Sequence, residues 1–181
     1  MNKFVLTILG CDRPGIVAEV SEVLSAYRCN IEDLTQTVLQ TEFAAIFIFS
    51  TSLDSINDLK KSLSNRFQPL GLSVHIKEMT QVCQVMKKTD PFVAVATGKD
   101  RTGQIAALSG VMRDFGCNIT AIKAVNKSHL YPDEIVIMIE MDVPLHTAVS
   151  SLRQSLDKTS AKLGLECSLQ HKDIFESIHR V

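Results

Sequence analysis

Apolar positions in this chain change their spacing in a regular order. KFVLTIL, from residue 3, is a short β-rich run, and Ile16, Val20, Val23, Leu24 and Tyr27 then recur at helical spacing. NIEDLTQTVLQ, from residue 30, alternates polar and apolar positions and predicts a half-exposed strand. EFAAIFIFS, from residue 42, is apolar on both alternations, which predicts a central strand covered on both faces. Ile56, Leu59, Leu63 and Phe67 make a second helical stripe, and GLSVHIKEM alternates again. The predicted order is β-α-β-β-α-β, the ferredoxin-like pattern.

The second half repeats this order. FVAVAT is followed by a helical stripe of Ile105, Leu108, Met112 and Phe115, then NITAIKAVN, EIVIMIEM, a stripe of Ala148, Val149, Leu152 and Leu156, and LECSLQH. The repetition is literal at GCDRPGIV (from residue 10) and GKDRTGQI (from residue 98): at an offset of 88, ten of twenty-two consecutive positions are identical. GLS at 71 and GLE at 164 are offset by 93, so five residues were gained between, expected around SHLYPD (128–133) and in the second helix of the second half. Two copies of about 90 residues are a duplication, not a solenoid. The fold class is therefore α+β, two ferredoxin-like units in tandem. The expected bounds are 1–80 and 91–172, with a linker at 81–90 and a tail at 173–181. The tail carries Ile174, Phe175 and Ile178 and is expected to dock as a short helix. The linker stretch TQVCQVMKKTD has neither Gly nor Ser, so the halves are expected to pack as an internal pseudo-dimer.

Composition narrows the function. Apolar residues make up 45% of the chain and charged residues 22%, with 19 basic against 20 acidic side chains. Without a basic surplus or stripe, direct nucleic-acid binding is disfavoured. No apolar run reaches the ~20 residues that span a bilayer, and the N-terminus reads as a strand rather than a signal peptide. Five scattered cysteines without a CxxC pair fit reduced thiols in the cytoplasm. No HExxH or close Cys/His cluster suggests a metal site, and no cofactor motif appears.

The repeated phrase joins the first strand of each half to its first helix. A helix N-terminus has unpaired N–H groups and partial positive charge, which suit a carboxylate or phosphate. Pro14 fits the first helical position. Gly15 and Gly103 allow a ligand close to the backbone. Asp12 and Asp100 add an acceptor, and Arg13 and Arg101 are available to an anion or to an acid across an interface. Asn30 and Asn118 open the second strand, expected close to the helix start, and offer donor and acceptor together. A ligand with both charges a few ångströms apart is an α-amino acid. Each charge-assisted bond contributes ~1.5–3 kcal/mol, which allows micromolar to millimolar binding after immobilisation costs. The same residues also make a plain helix start, with an acidic cap and a tight turn. Cys29 and Cys117 fit small buried fillers.

At DRPGIV (from Asp12) and CNIED (from Cys29) the sequence resembles ACT domains, and two such units in tandem resemble the glycine cleavage system transcriptional repressor family. The second half keeps Asp100, Arg101, Gly103, Asn118 and Ile119, with Thr102 in place of proline. The resemblance implies regulation without catalysis and two amino-acid sites. They would comprise Gly10, Cys11, Asp12, Arg13, Pro14, Gly15, Asn30 and Ile31, and Gly98, Asp100, Arg101, Gly103, Asn118 and Ile119. It further implies side-by-side pairing of units, hence a homodimer, and action through a protein partner such as a transcription activator, with glycine or serine as ligand. A ligand-independent interaction scaffold is the alternative. Formyltetrahydrofolate deformylase opens on a similar DRPGIV, but no hydrolase domain fits within this chain.

Overall fold

The alternating and helical stretches form the elements expected of them. A computed structural model describes residues 2–52, 56–79, 88–126 and 133–179, with side chains to 177. The chain divides into two compact units, Met1–Cys83 and Gln84–Val181. The first holds β1 (Asn2–Cys11), α1 (Ile16–Ala26), β2 (Asn30–Leu39), β3 (Glu42–Thr51), α2 (Asn57–Phe67), a short 3-10 turn (Gln68–Leu70) and β4 (Ser73–Glu78). The second holds β5 (Thr89–Lys99), α3 (Gln104–Asp114), β6 (Asn118–Asn126), β7 (Glu134–Pro144), α4 (Val149–Lys162), β8 (Leu165–His171) and α5 (Lys172–His179). Each unit is an antiparallel four-stranded sheet, ordered β2-β3-β1-β4 and β6-β7-β5-β8. This is the tandem ferredoxin-like α+β fold. β5 begins at Thr89, inside the stretch expected as linker; residues 81–87 and most of SHLYPD lie outside the described residues.

One face of each sheet carries the core. Leu6 and Ile8 of β1 and Phe47 and Phe49 of β3 meet Ile16, Val20 and Leu24 of α1 and Leu59, Leu63 and Phe67 of α2. Large side chains of this kind each contribute ~1.5–3 kcal/mol by burial. The second core uses Ile137, Ile139 and Met141 of β7 with Leu108, Met112, Leu152 and Leu156.

Three details differ from the apolar pattern. β2 is exposed along nearly its whole length because it is an edge strand paired only with β3. The face of each sheet away from the helices is not covered equally: Ile46 of β3 is 45% exposed, whereas Phe175 of α5 lines that face in the second unit. The tail does form the expected short helix. Lys172 at its start pairs with Glu140 of β7 at 2.7 Å, and His171 packs edge-to-face on Phe92. Finally, the α3 stripe is shifted. Gln104 is buried and Ile105 is 43% exposed, so a polar residue stands where Ile16 stands in the first unit.

Candidate functional site

The repeated phrase forms the turn between β1 and α1, and between β5 and α3. In both, the helix is preceded by a left-handed glycine, Gly15 at φ 92° and Gly103 at φ 90°. A β-carbon is strained at that angle, which explains the glycine. Neither helix start has a side-chain hydrogen-bond cap. Asp12 is thus not the acidic cap expected, and Pro14 precedes the N-cap rather than occupying the first helical position. The uncapped first-turn N–H groups keep the partial positive charge of a helix start.

Gly10 and Gly98 have a packing reason. A β-carbon on Gly10 would lie 2.6 Å from the Gly71 carbonyl oxygen, and one on Gly98 would collide with that of Gly164. The backbone leading into the fourth strand passes too close for any side chain. The Asp12 N–H donates to the Thr41 carbonyl at 2.8 Å, and the Asp100 N–H to that of Asp133 at 2.7 Å. These bonds tie each turn to the connection between its unit's second and third strands.

The two copies part company in their charges. Arg13 donates to both carboxylate oxygens of Glu19, at 2.7 and 3.0 Å, and Arg66 lies 3.7 Å from the same carboxylate. The Arg13 hydrogen bond, followed by the charges of Arg13 and Arg66, holds the Glu19 carboxyl below its usual range despite partial desolvation. At the position of Glu19 the second unit has Ala107. Arg101 accordingly has no ion pair among the described residues; its guanidinium lies against Gly164. Conversely, Asp100 accepts a hydrogen bond from Asn126 at 3.1 Å, whereas Val38 takes the place of Asn126 in the first unit.

Gln104 completes the second turn. Its Nε2 donates to the Lys99 carbonyl at 2.7 Å and its Oε1 accepts from the Arg101 N–H at 3.1 Å. Sequence reasoning passed over Gln104 and Asn126. The signal for Gln104 was present: it interrupts an apolar position at the 88-residue offset from Ile16.

The structure separates residues expected to be close. Gly10 pairs with Phe43 of β3, but Asn30 pairs with Ser50, at the far end of the same strand. Seven residues at ~3.4 Å each place them roughly 24 Å apart. Gly98 and Asn118 are divided in the same way, opposite Ile135 and Asp142 of β7. The cause is the helix, which runs back along the sheet, so the second strand starts at the opposite end from the turn. No small molecule touches both groups of one unit. Ile31 and Ile119 pack against the cores. Cys29 and Cys117 pack there too, and burial pushes both thiols up. Cys11 is exposed, with its thiol 3.9 Å from Glu42. The described residues contain no cluster of His, Cys, Asp or Glu suited to a metal ion, and none of their helices is long and apolar enough to cross a membrane.

A family model described as ACT domain matches residues 2–77 and 90–170. A UPF0237 protein of Methanopyrus kandleri is 39% identical over 79 residues, covering 42% of this chain and 88% of that protein. The glycine cleavage system transcriptional repressor of Escherichia coli is 37% identical over 79 residues, covering 44% of this chain and 42% of the repressor. Among solved structures, a protein from Galdieria sulphuraria has a TM-score of 0.80 over 94% of this chain and 98% of its own, at 19% identity. A structure provisionally named as a glycine cleavage system transcriptional repressor scores 0.70 over 93% and 96%, at 22% identity. At these identities the structural likeness speaks for the fold alone.

Proposed function

The chain belongs to the ACT domain family, and on that premise we propose that it is a non-catalytic regulator that responds to a small amino acid, glycine or serine. The carrying observation is the second glycine turn. An uncapped helix start stands beside Arg101, which has no ion pair among the described residues, and Asp100, which has a second carboxylate oxygen beyond the one bonded to Asn126. Arg101 and the helix N–H groups suit the ligand carboxylate; Asp100 suits its ammonium. The first turn offers the same backbone and Asp12, but Glu19 holds its arginine.

The distance between turn and asparagine favours a site completed by another ACT unit. β2 and β6 are edge strands. Antiparallel pairing of such an edge with the same edge of a second copy sets the start of one strand against the end of the other, and so carries an asparagine of one copy to the end of the sheet that bears the other copy's turn. Exposed apolar residues on both edges support this: on the helix-bearing faces Leu34 and Val38 of β2 stand opposite Phe47 and Phe43, and Ile122 of β6 stands opposite Ile139, yet they are 38%, 46% and 45% exposed. Pairing between copies would cover them and make a homodimer. A ligand held across such a seam changes how units pack, and that change is what a protein partner reads. Similarity to the Escherichia coli repressor supports transcriptional co-regulation through such a partner, in the cytoplasm, where scattered free thiols stay reduced.

A thermal-shift screen of the twenty amino acids on the pure protein tests the reading. Glycine or serine should raise the melting temperature by several degrees near saturation. If none of the twenty moves it, the reading fails; a partner that co-purifies unchanged under all twenty points instead to a ligand-independent scaffold.

A further inference from the structure

The open sheet face of the second unit carries a groove of about 480 Å³, on the side away from α3 and α4. That volume falls in the range of small-molecule sites. Lys123, Met138, Val95 and Ser168 form a single cross-strand row from β6 to β8. Met138 and Val95, with Val136 in the next row, make an apolar floor, and Phe175 of α5 walls it. Each end of the row is polar. Lys123 has no ion pair among the described residues. At the other edge, beside Ser168, the Gln170 side-chain oxygen is buried without a hydrogen-bond partner. A buried orphan of this kind is costly unless something supplies the missing bond.

The equivalent row of the first unit is Thr35, Ile46, Thr7 and His75, in the same register. It has no cation at the β2 edge and, among the described residues, no helix that corresponds to α5. The duplicated face has therefore diverged toward an apolar slot with one positive end. The row spans three strand spacings of ~4.8 Å, and the side chains reaching in from both edges leave roughly 10 Å between the ammonium and the amide. An α-amino acid is too short to bridge that gap by its own two charges.

We propose that this groove binds a slender monocarboxylate with an aromatic body and a hydroxyl at its far end: carboxylate on Lys123, ring between Met138 and Phe175, hydroxyl on Gln170. A hydroxyl both donates and accepts, so it satisfies the amide in either orientation. Phenolic acids and the aromatic amino acid tyrosine share this chemistry.

Calorimetric titration of the full chain with 3-(4-hydroxyphenyl)propanoate, 3-phenylpropanoate and L-tyrosine tests the site. The hydroxylated acid should bind, with the acid lacking the hydroxyl about tenfold weaker. Lys123→Gln should weaken both acids about tenfold, and Val95→Phe, which fills the groove, should abolish binding. Tighter binding of L-tyrosine than of the phenolic acid assigns an amino-acid source; the reverse assigns a phenolic-acid source; both support the site. No binding by any of the three overturns it, as does equal affinity of the two acids or unchanged binding to Lys123→Gln. Lys123 is exposed, so that variant decides the matter even if Val95→Phe does not fold. Glycine binding at the turn is a separate readout, and its loss or survival leaves this result standing.

Discussion

Gly10 illustrates how one position in the repeated phrase has two readings with different consequences. The sequence set it among the ligand-binding residues; the structure places the Gly71 carbonyl where a side chain would begin. Gly10→Ala should therefore destabilise the first unit by about 1–3 kcal/mol through overpacking, as read from denaturant unfolding. A variant as stable as the wild type would contradict the packing account. Glu19 gives the second residue-scale prediction. Its carboxyl is held below the usual range chiefly by the hydrogen bond from Arg13. A depressed folded pKa adds stability that is complete above the ordinary carboxylate pKa of about 4.3 and is lost as pH falls through the folded value. The difference in melting temperature between wild type and Glu19→Gln should thus be present at neutral pH and close as the solution is acidified below about pH 4. A difference that stays constant with pH would show that the ion pair is not its source. The glycines, Asp12 and Arg13 were legible as a repeated phrase. The latch from Glu19 was not, because nothing in local spacing says which of several nearby acids a flexible arginine will take.

At the scale of elements, apolar runs together with helical and alternating periodicity located the eight strands and four of the five helices of the described residues, and the apolar residues of the tail indicated the fifth. Apolar spacing is a strong signal where one face is buried, as it is in α1 to α4 and in the central strands β1, β3, β5 and β7. What periodicity did not convey is direction across the sheet. Asn30 follows the end of α1, and a helix that packs back on its sheet returns the chain to the far end, so the asparagine cannot serve its own unit's turn. The same gap explains the exposure of β2, which alternates like a half-exposed strand but, at the edge, is exposed along nearly its whole length. Leu34 and Val38 test whether that edge has a partner. Leu34→Lys with Val38→Lys should leave the unit folded, since both positions are well exposed, yet shift the protein toward monomer in sedimentation velocity. A wild-type sedimentation profile from this double variant would rule out pairing through β2.

The whole molecule is a duplication whose copies have kept a scaffold and exchanged their chemistry. Both keep the left-handed glycine, the close-approach glycine and the N–H bond that ties the turn to the sheet. They differ in which charged group is already occupied: Arg13 by Glu19 in the first, Asp100 by Asn126 in the second. Substituting Gln104 for an apolar residue costs the second core a side chain but fixes the turn by two hydrogen bonds. A scaffold preserved at its glycines and altered at its charges is what ligand recognition on a common backbone requires. The most direct measurement is calorimetric titration of glycine and serine into the wild type and into Asp100→Ala. The account predicts saturable heat from the wild type, in the micromolar to millimolar range, and its loss or a reduction of at least about tenfold in the variant. Undiminished binding to Asp100→Ala, or no heat from either amino acid in the wild type, would contradict it.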